Sequence, residues 1–251
     1  MDSLICKETG YEILLSRGSC RESRGSIRFL GILKRILIIL TVFLLESRAN
    51  SQPRHGTSQY DVDVHWWIKE RFAKGKIPPF SFVLGGKSSD NFIKTWQFSS
   101  EKQKSTEPNA EETVYTYSDK KSGLVVKCKV TCFNDFQAVE WVLKFSNTSS
   151  SNTPVIEKVA AVDYSFNSGS KGTFVLHHAK GSNAERSDFQ PIDENLEIGK
   201  STYMTPAGGR SSDNTAFPFF NIEMPGEQGI MVAIGWTGKW YADVLQADEK
   251  S

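Results

Sequence analysis

From Tyr60 onward, short apolar or alternating runs are separated by clusters of Gly, Pro, Asn, Asp and Ser, and no long stretch keeps a helical period. This pattern predicts strands at Phe80–Leu84, Thr95–Ser99, Glu112–Ser118, Leu124–Phe133, Ala138–Asn147, Val155–Asn167, Thr173–His178 and Gly229–Trp236. In Ala138–Phe145 the two faces separate: Val139, Trp141, Leu143 and Phe145 on one, Ala138, Glu140, Val142 and Lys144 on the other. The first face is expected to meet a core. Trp66 and Trp67 are adjacent, so in a strand at least one would face outward.

The turns point to antiparallel neighbours. Ser118-Asp119-Lys120-Lys121-Ser122-Gly123 reads as a hairpin connection in which Gly123 is available for positive φ, and Asn147–Thr153 reads as a second polar reversal. Strands joined by close reversals pair antiparallel. The fold class expected is all-β, a large antiparallel β-sandwich over residues 60–245. The stretch from His177 to Gly209 is long, polar and rich in both charges, and is expected to run over the surface, where binding groups collect on a β scaffold.

Residues 1–50 read differently. Ile36–Leu45 is the apolar run ILIILTVFLL, preceded by Arg28, Lys34 and Arg35 and followed by the polar ESRANSQ, the order of a secretory signal. The run is short of the roughly twenty residues that span a bilayer. A short hydrophobic signal helix over 36–45 is therefore expected, with a mature start near Ala49 and a secreted or periplasmic destination. The alternative is a membrane anchor at 36–45. Residues 1–27 are long and mixed for a leader, and contain Asp2, Glu8, Glu12 and Glu22, which raises a start-site error upstream.

Composition narrows the partner. Thirty Lys+Arg against 29 Asp+Glu give a formal net charge of +1, too little to hold nucleic acid or an anionic membrane by bulk field. Aromatic residues make up 12% of the chain, and all six Trp lie beyond residue 65 among Gly, Ser, Thr and Asn, a mixture suited to presenting rings to a neutral ligand. Cys128 and Cys132 in CKVTC would share a strand face about 13 Å apart, too far for a disulfide, and read as small apolar groups facing a core. Adjacent His177 and His178 lack the spacing of a helical zinc site, and no dinucleotide or phosphate-loop motif is present, so no metal or other cofactor is expected.

Four segments carry a family likeness: Pro78–Gln97 (PPFSFVLGGKSSDNFIKTWQ), His177–Phe189 (HHAKGSNAERSDF), Gly208–Ile222 (GGRSSDNTAFPFFNI) and Gly229–Val244 (GIMVAIGWTGKWYADV). In order and spacing, these resemble the N-terminal domain of glycoside hydrolase family 36 α-galactosidases. The resemblance implies a β-supersandwich of the galactose mutarotase type packed against a catalytic (β/α)8 barrel that carries both carboxylates of a retaining mechanism, with the chain stopping before that barrel. It departs from the family at Gly181-Ser182-Asn183-Ala184-Glu185-Arg186, where many members have a Trp after the glycine, and at Asp213, where many have His.

A retaining glycosidase needs two carboxyl groups about 5 Å apart, and no pair in this chain reads as such. No catalytic residue is assigned. The residues assigned to carbohydrate contact or to the barrel interface are Trp236, Trp240, Arg210, Asp213, Asn214, Asp188 and Asp90. Trp236 and Trp240 flank Thr237-Gly238-Lys239, and a sugar's apolar face can stack on such a ring while its hydroxyls meet Arg, Asp or Asn; both rings filling a core is the alternative. The expected partners are an α-galactoside-like oligosaccharide, the barrel and further copies of the chain, joined through open strand edges. A free-standing lectin-like module is one alternative function. A mutarotase-like isomerase using His177 or His178 with Glu185 is another.

Overall fold

The computed structural model describes residues 12–16, 63–226 and 228–251. The expected signal segment 36–45 and the cleavage point near Ala49 lie outside the described residues.

The longest strands form where alternation is cleanest. β4 (Gln97–Gln103), β5 (Ala110–Ser118), β6 (Leu124–Phe133) and β7 (Ala138–Asn147) make an antiparallel meander. In register across it lie Tyr117, Val126 and Phe145, then Tyr115, Cys128 and Leu143, then Thr113, Val130 and Trp141. These rows line the core-facing side of the sheet, and Val126, Cys128 and Trp141 are fully buried. The predicted hairpin closes as expected: Gly123 has φ +73°, and Asp119 accepts from the backbone N–H groups of Lys121 and Ser122 at 3.1 and 2.9 Å.

The meander is one part of a nine-stranded sheet. β1 (Glu12–Ser16) lies between β7 and β13 (Gln228–Ile234), and beyond β13 follow β12 (Phe219–Met224), β9 (Val175–Ala179) and the edge strand β10 (Pro191–Asn195). Every pairing in it is antiparallel. The core-facing side continues through Val232, Phe220, Ile222 and Leu176, all buried.

A second layer covers that side. It consists of a three-stranded sheet of β2 (Ser81–Leu84), β3 (Lys87–Ser88) and β8 (Ile156–Ala160), a two-stranded sheet of β11 (Ser201–Met204) and β14 (Ala242–Leu245), and the helix α1 (Val64–Arg71). Rings interlock between the layers: Phe80 meets Tyr117 edge-on at 5.8 Å, and Phe82 meets Phe145 edge-on at 5.3 Å. Trp141 donates its indole N–H across the core to the Ala161 carbonyl at 2.7 Å, so its one polar atom is satisfied where no water reaches. The all-β antiparallel fold expected from the pattern is the fold observed.

Some elements differ from the expectation. Residues 64–71, for which no element was expected, form a helix: the Asp63 carboxylate caps it by accepting from the His65 N–H at 2.8 Å, and Val64, Ile68 and Phe72, spaced four apart, drop into the core. Trp66 points to solvent, while Trp67 packs against Trp141. Val155–Asn167 yields only the short strand β8, and residues 162–167 follow as irregular chain that packs Val162, Tyr164 and Phe166 on the core. The segment expected to be all surface loop, 177–209, contains the whole of β10 and β11. Residues 12–16, read as leader, are a sheet strand here.

Candidate functional site

Two loops meet beyond the ends of β9, β12 and β13. The first, 180–190, leaves β9; the second, 205–218, joins β11 to β12. Gly181 donates its N–H to the Asp213 carbonyl at 2.7 Å, and the contact is so close that a β-carbon on Gly181 would come within 2.5 Å of that oxygen. A third segment, 235–241 after β13, joins them through the Trp240 indole N–H, which donates to the Ser211 carbonyl at 2.7 Å, and through a backbone bridge between Arg210 and Gly238. Residues far apart in sequence thus converge on one loop cluster.

Within the cluster the carboxylates act as staples. Asp213 is buried, and its two oxygens accept from the Gly208 N–H at 2.6 Å, the Thr215 N–H at 2.9 Å and the Thr215 hydroxyl at 2.5 Å. Burial alone would raise its pKa, but these hydrogen bonds outweigh it and hold the carboxyl down to about 2. Asp188 accepts from the Ser182 hydroxyl at 2.6 Å and the Asn183 N–H at 2.9 Å, and such donors lower its pKa. A carboxylate kept ionised and fully occupied by its own loop shapes a surface and is unsuited to passing protons.

The seven assigned residues therefore divide. Trp240 takes the core alternative, with its ring fully buried. Asp213 and Asp188 are spent within their loops. Arg210 and Asn214 are exposed, and Trp236 is half-buried, packed on the core with its indole lying against Gly238, where a β-carbon would approach its ring nitrogen to 2.6 Å. Asp90 stands apart in the short turn Ser89–Asn91 after β3, where burial and the neighbouring Asp163 carboxylate raise its pKa.

Three phenylalanines not assigned as contacts from sequence complete the surface. Phe189 meets Phe217 edge-on at 5.4 Å, and Phe217 lies 5.1 Å from Phe219. Phe189 is 55% exposed and has φ +55°, a backbone region that bulky residues rarely occupy. Backbone strain of this kind clusters at functional loops, and here it holds an apolar ring in solvent. The alternation Phe217-Pro218-Phe219 was the available signal, since alternate residues of a strand entry share a side.

The histidines do not form the pair considered from sequence. On the outer side of the sheet the His177 ring bridges Asp193 on β10 and Glu223 on β12, at 2.8 Å from Nδ1 and 2.9 Å from Nε2. Both contacts are satisfied when the imidazolium donates from each nitrogen. Partial burial lowers its pKa, but the two carboxylates outweigh this and raise it above the usual histidine value. His178 faces the opposite way, and burial lowers its pKa against the opposing pull of Glu194 and Asp193. Glu185 is instead near Asn183, at 3.5 Å. Among the described residues no group of three His, Cys, Asp or Glu side chains could hold a metal ion.

No family model matches the chain, and no curated protein matches it. Among solved structures, the chain is similar to the GH36 alpha-galactosidase AgaA from Geobacillus stearothermophilus, with a TM-score of 0.38 and 12% identity over 70% of this chain and 30% of that one. The chain thus spans less than a third of that enzyme's length.

Proposed function

We propose that the chain is a non-catalytic sugar-binding and packing domain, the N-terminal part of a secreted retaining α-glycosidase that removes terminal α-galactosyl residues. One observation carries the reading: three of the four segments that resemble glycoside hydrolase family 36 fold into a single loop cluster that leaves Trp236, Arg210, Asn214 and Phe189 at the surface. A partly exposed indole and an exposed phenyl ring supply apolar faces for a pyranose. Arg210 and Asn214 supply donors for its hydroxyls. The stapled carboxylates fix the loops that present them, and chemistry belongs to a barrel outside this chain.

The test is calorimetric titration of the purified chain with an α-galactosyl oligosaccharide, alongside an assay on an aryl α-galactoside. Binding is expected without turnover, and Trp236→Ala, which should also lower the thermal midpoint by removing packing from the core, should abolish the binding heat at a temperature where the variant is still folded. Turnover that a substitution in this chain removes would overturn the reading, and so would binding that survives loss of Trp236, Arg210 and Phe189 together.

A further inference from the structure

The nine-stranded sheet has a feature that neither the sugar-binding reading nor the family likeness requires. Among the described residues, every hydrogen-bonded path across it, from the β4–β7 meander to the group β13, β12, β9 and β10, runs through β1. β1 pairs antiparallel with both neighbours, so β7 and β13 run parallel to each other about 10 Å apart, two strand spacings. Their facing backbone groups have β1 as partner. Without it, two rows of amides and carbonyls would lose their partners in the middle of a sheet, which destabilises it unless another strand or water takes them. Closing the gap directly would need a parallel pairing and a shift of one half-sheet by a strand spacing, against a core that already interlocks.

The register fits the strand that fills the gap. Ile13 falls opposite Trp141 on β7 and Ile234 on β13, and Leu15 falls opposite Val139 and Val232. Those four partners are at most 5% exposed and belong to the core-facing side. Glu12 and Ser16 fall on the other row, opposite Val142 and Ala138 of β7. A slip by one residue would put Glu12, Leu14 and Ser16 on the core row. The pattern of the segment and that of the gap agree.

We propose that β7 and β13 frame an acceptor slot for an extended strand, that the chain's own residues 12–16 occupy it, and that these residues stay in the folded domain after any cut in 17–62. The segment that reads as a leader is thereby an internal structural strand. A mature domain lacking it presents two adjacent open strand edges in place of one continuous sheet.

The test needs no ligand, so its result is independent of the sugar-binding reading. A site-specific protease sequence inserted after Ala49 of the full chain allows the connection to be cut under native conditions. The fragment 1–49 is expected to co-elute with the body on gel filtration, and the melting temperature to stay unchanged. Leu14→Lys, on the outer row, should leave co-elution intact, and Leu15→Asp, on the core row, should abolish it. Release of the fragment from the unsubstituted cut chain with no change in the melt would overturn the proposal. Co-elution that persists in Leu15→Asp would overturn it too, by placing the attachment elsewhere, as in Ile36–Leu45. Should Leu15→Asp fail to fold, hydrogen exchange on the uncut, unsubstituted chain decides. Slow exchange at 13–15 and at the slot-facing amides of β7 and β13 supports the strand, and exchange there as fast as at an exposed turn refutes it.

Discussion

Asp213 shows how a residue type can mislead about its task. In sequence it is an acidic loop residue beside two serines, a plausible sugar contact; in the fold it is buried and accepts three hydrogen bonds from its own loop. Replacing it by alanine leaves those donors unpaired and should cost about 2–3 kcal/mol, read as a lowered midpoint in urea unfolding at neutral pH. The pH dependence has a definite sign. A carboxyl whose folded pKa is depressed to about 2 contributes stability that is fully present above its unfolded value near 4 and is lost as pH falls toward 2. The gap between parent and Asp213→Ala should narrow over that window, and a gap constant from pH 7 to 2 would mean that the carboxylate's charge does nothing. Cys132 behaves oppositely: burial, then the carboxylates of Glu111 and Asp63, push its thiol up to about 11, in keeping with an unreactive apolar group packed 3.5 Å from the His65 ring.

At the scale of elements, the weakly held part is the edge formed by β9 and β10. β10 has few buried positions, and His177 ties it to β12 by touching Asp193 on one side and Glu223 on the other. Because the folded pKa of His177 is raised, its contribution is complete below about pH 6.5 and fades as pH rises through the raised value. His178, with its pKa lowered by burial, acts the other way and loses its contribution as pH falls below that range. Amides of β10 should therefore exchange faster at pH 8 than at pH 6 once intrinsic rates are divided out. In His177→Gln that difference should vanish or reverse, since His178 then acts alone; faster exchange at pH 8 that persists would assign the effect to groups other than His177. The strands most legible in sequence were those least dependent on such ties. β6 and β7 fall at Leu124–Phe133 and Ala138–Asn147 as predicted, because alternation and flanking turns agree there. β10 and β11 were hidden in a charged stretch, since an edge strand buries too little to leave an apolar signature. The helix α1 was hidden because the solvent-facing Trp66 blurs its stripe, leaving only the Asp63 cap and the Val64, Trp67, Ile68, Phe72 spacing as signals.

At the scale of the molecule, the two faces of the large sheet differ. One is sealed by the second layer. The other carries ion-paired Lys129 and Glu112 at 3.1 Å over the meander and, at its far side, exposed Phe219 and Met231. Register puts both on the outer row of β12 and β13, and with Phe189 and Phe217 nearby they form a patch that water solvates poorly. The purified chain should self-associate with rising concentration in sedimentation velocity, and the double variant Phe219→Lys, Met231→Lys should sediment as a monomer. A parent already monomeric at the highest concentration would show that the patch is not adhesive by itself.

The sequence by itself determined the class of fold, the long central strands, their hairpin turns and the face each turns inward, because a period of two, bounded by turn residues, is a local property of the chain. It also marked the segments that build the loop cluster. Only the tertiary structure decided that Trp240 is sealed in the core while Trp236 stays partly open, that Asp213 and Asp188 serve their own loops, and that residues 12–16 belong in the middle of a sheet. These outcomes depend on partners distant along the chain. Whether a ring is buried, a carboxylate occupied or a short apolar run paired is set by what packs against it, and local pattern carries no record of that.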